Sequence, residues 1–512
     1  RRCGSTRHGR HSIRVGCDCN CTGSRELATA GRCGAAAAPL QWYASTIRQR
    51  GRLIPLWGQA TVNTDPREIL SRARMGWLQI TAVVITIGLN ALDGFDVLSI
   101  AFASPGIASE WHPSKTALGW LQSMELAGMA LGSILLGGVA DRIGRRATIL
   151  GCLIVMAAGM FLATTANSIE VLSVYRVITG LGIGGTLAAI NAVASEFSNT
   201  RTRNLSVSIM SIGYPIGAVV GGLIVTELLK GHDWRAVFYF GSAFTVLFIP
   251  LVFWFVPESV PWLIRKQPRG ALENVNRTLR RMGHAAIESL PKVAPEVRSR
   301  SSGDIFGPAL IATTILVTAT YFFHVMSFYY VAKWAPKIVV DMGFTQSQGA
   351  SVLTWGNVGG MVGGALLGVL TLRFDVKRLT IGSMLLGAIA VSLFGRSAHE
   401  LGELSFLCAF ALFCTNAGIV GMYAIFAQVF PTHVRSSGTG FAIGVGRGGS
   451  VLGPPLAGFL FDQHYGLPTV SMVLALGTLI AAFILASLKL GKPTVESEDE
   501  VEASAAGATT AS

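Results

Sequence analysis

Twelve long stretches of apolar, almost uncharged residues constrain this chain more than any other feature of its sequence. They run approximately over 77–107, 117–139, 147–168, 171–193, 205–228 and 235–256, then 307–331, 347–372, 379–396, 404–428, 438–461 and 468–490. Each is near or above the roughly 20 residues that a helix needs to cross hydrocarbon. In lipid every backbone N–H and C=O must find a partner inside the structure, which makes such runs helices. Charged residues are 13% of the 512, about half of what a soluble domain carries. The expected fold is an all-α polytopic membrane protein with twelve transmembrane helices. A polar, basic stretch at 257–306, with Arg265, Lys266, Arg269, Arg277, Arg280 and Arg281, separates six runs from six. Two six-helix halves are therefore expected, 77–256 and 307–490, joined by a central loop.

The net charge of +13 does not point to nucleic acid, because much of it sits at the start of the chain. Residues 1–60 hold ten arginines against Asp18 and Glu26, and five of the eight cysteines. Cys17, Cys19 and Cys21 lack the paired Cys-x2-Cys spacing of zinc ligands, and no second pair follows. No apolar stretch with a cleavage site marks a signal peptide there. Residues 1–61 are read as a disordered basic extension, and translation from upstream of a start at Val62 is one origin open to it. The tail 491–512, with its acidic run at 496–502, is read as a solvated, disordered end. Cys152, Cys408 and Cys414 fall in apolar runs and are expected to pack.

Basic residues also orient the chain. Arg142, Arg145 and Arg146, Arg201 and Arg203, the central loop, Arg373, Lys377 and Arg378, and Arg435 all fall on one side. The alternating connections, such as 110–115 and 231–233, carry less positive charge. The positive-inside rule then puts both termini in the cytoplasm of a multi-pass inner-membrane protein.

Asp93 and Asp96 interrupt the first apolar run, three residues apart and so on roughly one helix face. An ionised carboxylate in hydrocarbon costs about 2.5–3.5 kcal/mol on insertion scales. A pair so placed must face a polar cavity, meet a cation or carry protons. Glu125 in the second run and His324 in the seventh raise the same question, although a lone histidine is more often hydrogen-bonded structure. Arg447, inside the eleventh run, is costly unless it meets an anion. Two roles stay open for it: a bidentate pair with a substrate carboxylate, or a permanent partner for Asp93 or Asp96.

Gly137-Gly-Val-Ala-Asp-Arg-Ile-Gly-Arg-Arg146 follows the second run, and a weaker echo, Gly368-Val-Leu-Thr-Leu-Arg-Phe-Asp-Val-Lys-Arg378, occupies the same place in the second half. The first closely matches the loop signature G-x-x-x-D-R-x-G-R-R of the major facilitator superfamily. In a gate reading, Asp141 satisfies the free N–H groups of a neighbouring helix N-terminus while the arginines stay at the interface. Gly137, Asp141, Arg142, Gly144, Arg145, Arg146 and the echo's Asp375 are the gating candidates, with Arg176 before the glycine-rich face of the fourth run. Positive-inside anchoring explains the arginines but not Asp141 or the glycines. Gly213-Tyr-Pro-Ile-Gly217 with Gly221 and Gly222 resembles a glycine–proline motif often linked to antiporters, and small-residue packing explains it equally well. Pro257-Glu-Ser-Val-Pro-Trp-Leu263 ends the sixth run as in sugar-porter-like and organic-ion members.

Closer still, Leu92-Asp-Gly-Phe-Asp96, Trp334-Ala-Pro-Lys-Ile338, Met342-Gly-Phe344, Phe430-Pro-Thr-His-Val-Arg435, Gly438-Thr-Gly440 and Gly444-Val-Gly-Arg-Gly-Gly449 resemble the aromatic acid:proton symporter family of that superfamily. The resemblance covers most of 65–490 and no part of 1–60. It implies the major facilitator fold and import of a hydroxybenzoate-like acid with a proton. It also implies that Asp93, Asp96 and Asp141 matter for transport. Residue chemistry agrees, since such an importer needs a cation, flat apolar walls and a titratable group.

Asp93, Asp96 and Glu125 are the candidates for proton coupling. Phe328, Tyr329, Tyr330, Trp334, Tyr423 and Phe426 could supply walls, with Tyr423 preferred because small residues flank it. Asn357 and Gln428 are candidate partners for ring hydroxyls, and Arg447, Trp334 and His324 complete the substrate-binding set. The expected scheme protonates Asp93 or Asp96, frees Arg447 for the anion, rocks the halves, and re-forms an aspartate–arginine pair on release. No cofactor or metal is expected, and the partners are the aromatic acid, protons and the bilayer, with a monomer sufficient. A proton-coupled exporter of drugs or metabolites, or a non-transporting acid sensor, are the rival readings. No nucleophile–base pair or metal-spaced cluster suggests an enzyme.

Overall fold

The computed structural model describes residues 65–291, 305–308, 310–431 and 434–488. The expected extension at 1–61 and tail at 491–512 lie outside them. Among the described residues the chain is helical throughout. A short α1 (Pro66–Arg72) precedes α2 (Trp77–Trp111), α3 (Lys115–Ile143), α4 (Arg145–Ala163), α5 (Ile169–Glu196), α6 (Arg203–Leu228) and α7 (Arg235–Phe255). Two short helices, α8 (Val260–Lys266) and α9 (Ala271–Arg281), occupy the first part of the central loop. The second half comprises α10 (Ile311–Asp341), α11 (Gln346–Leu370), α12 (Val376–Phe394), α13 (Leu401–Val429), α14 (Arg435–Gly446), α15 (Gly448–Asp462) and α16 (Leu467–Ser487). Side-chain caps set several starts: Ser114, Ser168 and Asp375 each accept an N–H from the first turn, and Thr345 forms a capping box with Gln348.

Eleven of these helices are long and apolar enough to span a bilayer. The run expected as a single span over 438–461 is two helices that meet at Arg447. Glycines at 444, 446, 448 and 449 weaken the helix there, and Pro454 and Pro455 remove two further N–H donors. The seventh span also differs from expectation, because α10 continues through Lys333 and Pro336 to Asp341.

Close helix crossings rest on glycine. In lipid, helices associate through van der Waals contact between small residues. A Cβ on Gly180 or Gly184 of α5 would stand 2.1 or 2.2 Å from the Glu125 or Met129 carbonyl oxygen of α3. On α6, a Cβ at Gly217 would lie 1.7 Å from the Ala91 oxygen of α2, so the glycine–proline motif packs against the helix that carries the two aspartates. The second half repeats the device, with Gly359 and Gly363 of α11 against Ala409 and Phe413 of α13.

The halves meet through α2 with α10, α3 with α15, and α6 with α11. At one end they are tied together. Asp462, ending α15, accepts from Lys115 N (2.9 Å), Thr116 N (2.8 Å) and Thr116 Oγ1 (2.6 Å) at the start of α3. Ser347 Oγ of α11 donates to Thr226 O of α6 at 2.7 Å. Here Gly119 and Gly458 are crowded: a Cβ on either would come within 2.5 Å of a carbonyl oxygen across the halves. Toward the basic-loop end, Gly138 of α3 and Gly440 and Gly444 of α14 have no neighbouring atoms where a side chain would sit. These polar ties and glycine crossings close the bundle at the end away from the basic loops.

Candidate functional site

The α3–α5 glycine crossing brings Arg176 of α5 against Glu125 of α3, and both are fully buried in an ion pair. Arg176 also donates to the Asp96 carbonyl oxygen and to Ser99 Oγ of α2, each at 3.0 Å, and its guanidinium lies over the Phe238 ring. From the other half, Lys333 of α10 enters the same cluster. Its ammonium donates to the Val97 carbonyl and lies 3.9 Å from Glu125 Oε2. Asp93 and Asp96 are fully buried beside this cluster, and none of their four carboxylate oxygens has a hydrogen-bond partner. A charged carboxylate left so would cost several kcal/mol, whereas the neutral acid is tolerated far better.

Arg447 stands at the α14–α15 junction, half-buried, within electrostatic reach of Asp93 and of Tyr214, Tyr321, Tyr329 and Tyr423. Tyr321 and Tyr423 place their hydroxyls 3.2 Å apart, and their rings pack with Phe426. Tyr214 comes from α6 of the first half and faces Tyr329 of α10 in the second. Tyr423 is 43% exposed, so one side of this aromatic set is open. Neither Asp93 nor Asp96 forms an ion pair with Arg447 in this structure; the acid–cation pairs in the core involve Glu125 instead.

The sequence matches the family model of the Major Facilitator Superfamily over residues 86–367 and 317–512. The chain belongs to the major facilitator superfamily. It is 26% identical over 429 residues to the gallate transporter of Pseudomonas putida, covering 82% of this chain and 94% of that one. It is 29% identical over 418 residues to the 3-(3-hydroxy-phenyl)propionate transporter of Escherichia coli K12, covering 79% and 94%. Its fold resembles the xylose transporter of E. coli in an inward open conformation, with TM-score 0.62, 18% identity, and 83% and 99% of the two chains covered.

The superfamily loop is built as a compact charged knot, with one change from expectation. Glu258, in the Pro257–Leu263 motif, accepts the Arg145 N–H at 2.8 Å and the Arg146 N–H at 3.4 Å, and so caps the start of α4. The capping acid is therefore Glu258 rather than Asp141. Burial pushes the Glu258 carboxyl above its ordinary range, against the pull of those backbone donors. Asp141 is held by Arg145 at 2.8 Å and Arg265 at 3.0 Å, while Trp262 Nε1 donates to its carbonyl. Arg145 also reaches Glu196 at 3.2 Å, and Arg146 donates to the Phe253 carbonyl. Gly144 has φ +106°, and its missing side chain leaves the space that Glu258 fills. Arg142 is exposed, and Gly137 touches little beyond Ala188. Asp375 caps α12 by accepting the Arg378 N–H at 2.9 Å.

Other expected site residues sit elsewhere. Arg176, read from sequence as part of the gate, lies at the centre of the buried ion cluster. His324 turns into the α10–α13 contact, with Nε2 2.8 Å from the Thr415 carbonyl oxygen. Trp334 is buried near the closed end, where Nε1 donates to Pro454 O at 3.0 Å and the ring packs on Phe461. Tyr330 bonds Ser471 at 2.7 Å inside the second half. Asn357 is half-buried and donates to Leu353 O of its own helix, and Gln428 is exposed further along α13. Sequence reading missed Lys333, Tyr214, Tyr321 and Glu258. Lys333 was legible in principle, as a lysine just past the assigned edge of an apolar run.

Proposed function

We propose that this protein imports an aromatic carboxylic acid together with a proton, by alternating access. The observation that carries the proposal is the placing of Arg447: a half-buried guanidinium that forms no ion pair among the described residues and has four tyrosines within electrostatic reach. A planar fork of donors suits a carboxylate, and the surrounding rings and hydroxyls suit a hydroxylated aromatic body. The similarity to transporters of gallate and of 3-(3-hydroxy-phenyl)propionate supports the same substrate class.

Asp93 and Asp96 carry the proton. Both lack donors, which favours the neutral acid and leaves Arg447 available to the substrate. Loss of the proton restores a charge that attracts Arg447 and competes with the bound acid. The proton gradient is the driving force, with no cofactor, and one chain suffices because both halves of the site lie within it. The end carrying the basic loops faces the cytoplasm of the inner membrane, as do both termini, so the tied, closed end faces outward.

Counterflow in proteoliposomes, with labelled benzoates, hydroxybenzoates and cationic drugs, tests the reading. Exchange confined to aromatic acids supports it; exchange of cationic drugs alone would make the protein an exporter of the same fold. Binding of an acid without any exchange would make it a sensor.

A further inference from the structure

We propose that Lys333 is a pin between the two halves, seated on Glu125 and the Val97 carbonyl, which must be withdrawn before the closed end can open. The inference rests on the alternating-access reading above. Lys333 belongs to α10 of the second half, yet its ammonium is lodged among α2 and α3 of the first, fully buried. Glu125 is shared: Arg176 of its own half pairs with it, and Lys333 reaches the same oxygen, Oε2, from across the interface. Arg176 therefore keeps Glu125 compensated when Lys333 leaves, so the contact can break without stranding a bare carboxylate. Withdrawal does strip the ammonium of its partners, and that cost falls on the opening step.

The surroundings are those of a polar set that changes partners. Asp93, Asp96, the Gln122 amide and the Ser123 hydroxyl all lie buried without hydrogen bonds in this state. A cluster serving only to hold one packed core satisfies its polar atoms. Lys333 is thus a positioning residue, acting on the equilibrium between the two arrangements and not on the substrate.

The test uses the full chain in nanodiscs, with native cysteines replaced by alanine and spin labels at Lys230→Cys and Gly402→Cys. Both positions are exposed, lie at the closed end and belong to opposite halves. Electron–electron distance measurements without substrate should show mainly the short, closed distance in the parent. Lys333→Gln should raise the open-to-closed ratio about ten-fold or more. Glu125→Gln should also raise it, the double variant should add little, and Lys333→Arg should restore most of the closed population. A merely structural lysine would lower the melting temperature without moving this ratio. An unchanged ratio in Lys333→Gln overturns the proposal, and if that variant does not fold, an unchanged ratio in Glu125→Gln does so. These distances are read without transport, so a failed uptake assay and a failed pin remain separate results.

Discussion

Replacing Asp462 by alanine removes the polar tie between α15 and the start of α3. Three donors lose their acceptor: the Lys115 and Thr116 amides and the Thr116 hydroxyl, at 2.6–2.9 Å. Ser114 still caps Ala117, so the first turn of α3 keeps one local bond. Bonds to a charged acceptor are worth about 1.5–3 kcal/mol when buried. These lie at the membrane edge, where water replaces them once the halves part, so the whole tie is worth about 2 kcal/mol. Part of that is the attraction of a carboxylate for a helix N-terminus, about 0.3–1 kcal/mol. A shift of about 2 kcal/mol is roughly thirty-fold in the open-to-closed ratio. The Lys230/Gly402 spin pair reads that ratio directly. Asp462 adds a pH signature: burial alone would raise its carboxyl, but the Thr116 hydroxyl and the two amides hold it below the ordinary 3.8. For an acid so lowered, the stabilisation is complete above about pH 4 and fades only as the pH falls below it. An unchanged ratio in Asp462→Ala, or a parent ratio that shifts between pH 8 and 5 by loss of this tie, would refute the reasoning.

Further outcomes follow from the same geometry. Asp93→Asn or Asp96→Asn at the titrating position should keep acid exchange but abolish gradient-driven accumulation; full accumulation in both variants would remove the aspartates from coupling. Arg447→Lys keeps the charge but loses the planar fork, and should raise KM about ten- to hundred-fold with a smaller change in maximal rate, as saturation kinetics would show. Gly144→Ala places a side chain at φ +106° with its Cβ 2.4 Å from Glu258 Oε2, and should cost about 1–3 kcal/mol. Its melting temperature should fall by several degrees, and an unshifted melt would contradict the cap assignment.

Much of the architecture is legible in the sequence because bilayer thickness imposes a length on apolar runs. That rule finds the helices on either side of the central loop, and the paired loop motifs relate the halves. It does not find the break at Arg447, because hydropathy averaged over a window does not register a local run of glycines. Nor does it follow α10 to Asp341, since Lys333 and Lys337 lower the average where one is in fact buried against the other half. The aspartates and Arg447 stand out because each is an energetic anomaly in its own run. Tyr214 and Tyr321 do not, because a tyrosine in a membrane helix is tolerated at many depths and only packing decides what it faces. Glu258 and Asp141 differ in partner for the same reason: both acids lie near α4 in the chain's topology, and their reach is set by tertiary geometry.

Coupled import of an aromatic acid is decided by uptake of labelled hydroxybenzoates into proteoliposomes under an inward proton gradient. The labelled acid should accumulate above the equilibrium level, and adding a protonophore should collapse that to equilibration. Uptake that is indifferent to the protonophore, or no uptake of any aromatic acid in the panel, would contradict it.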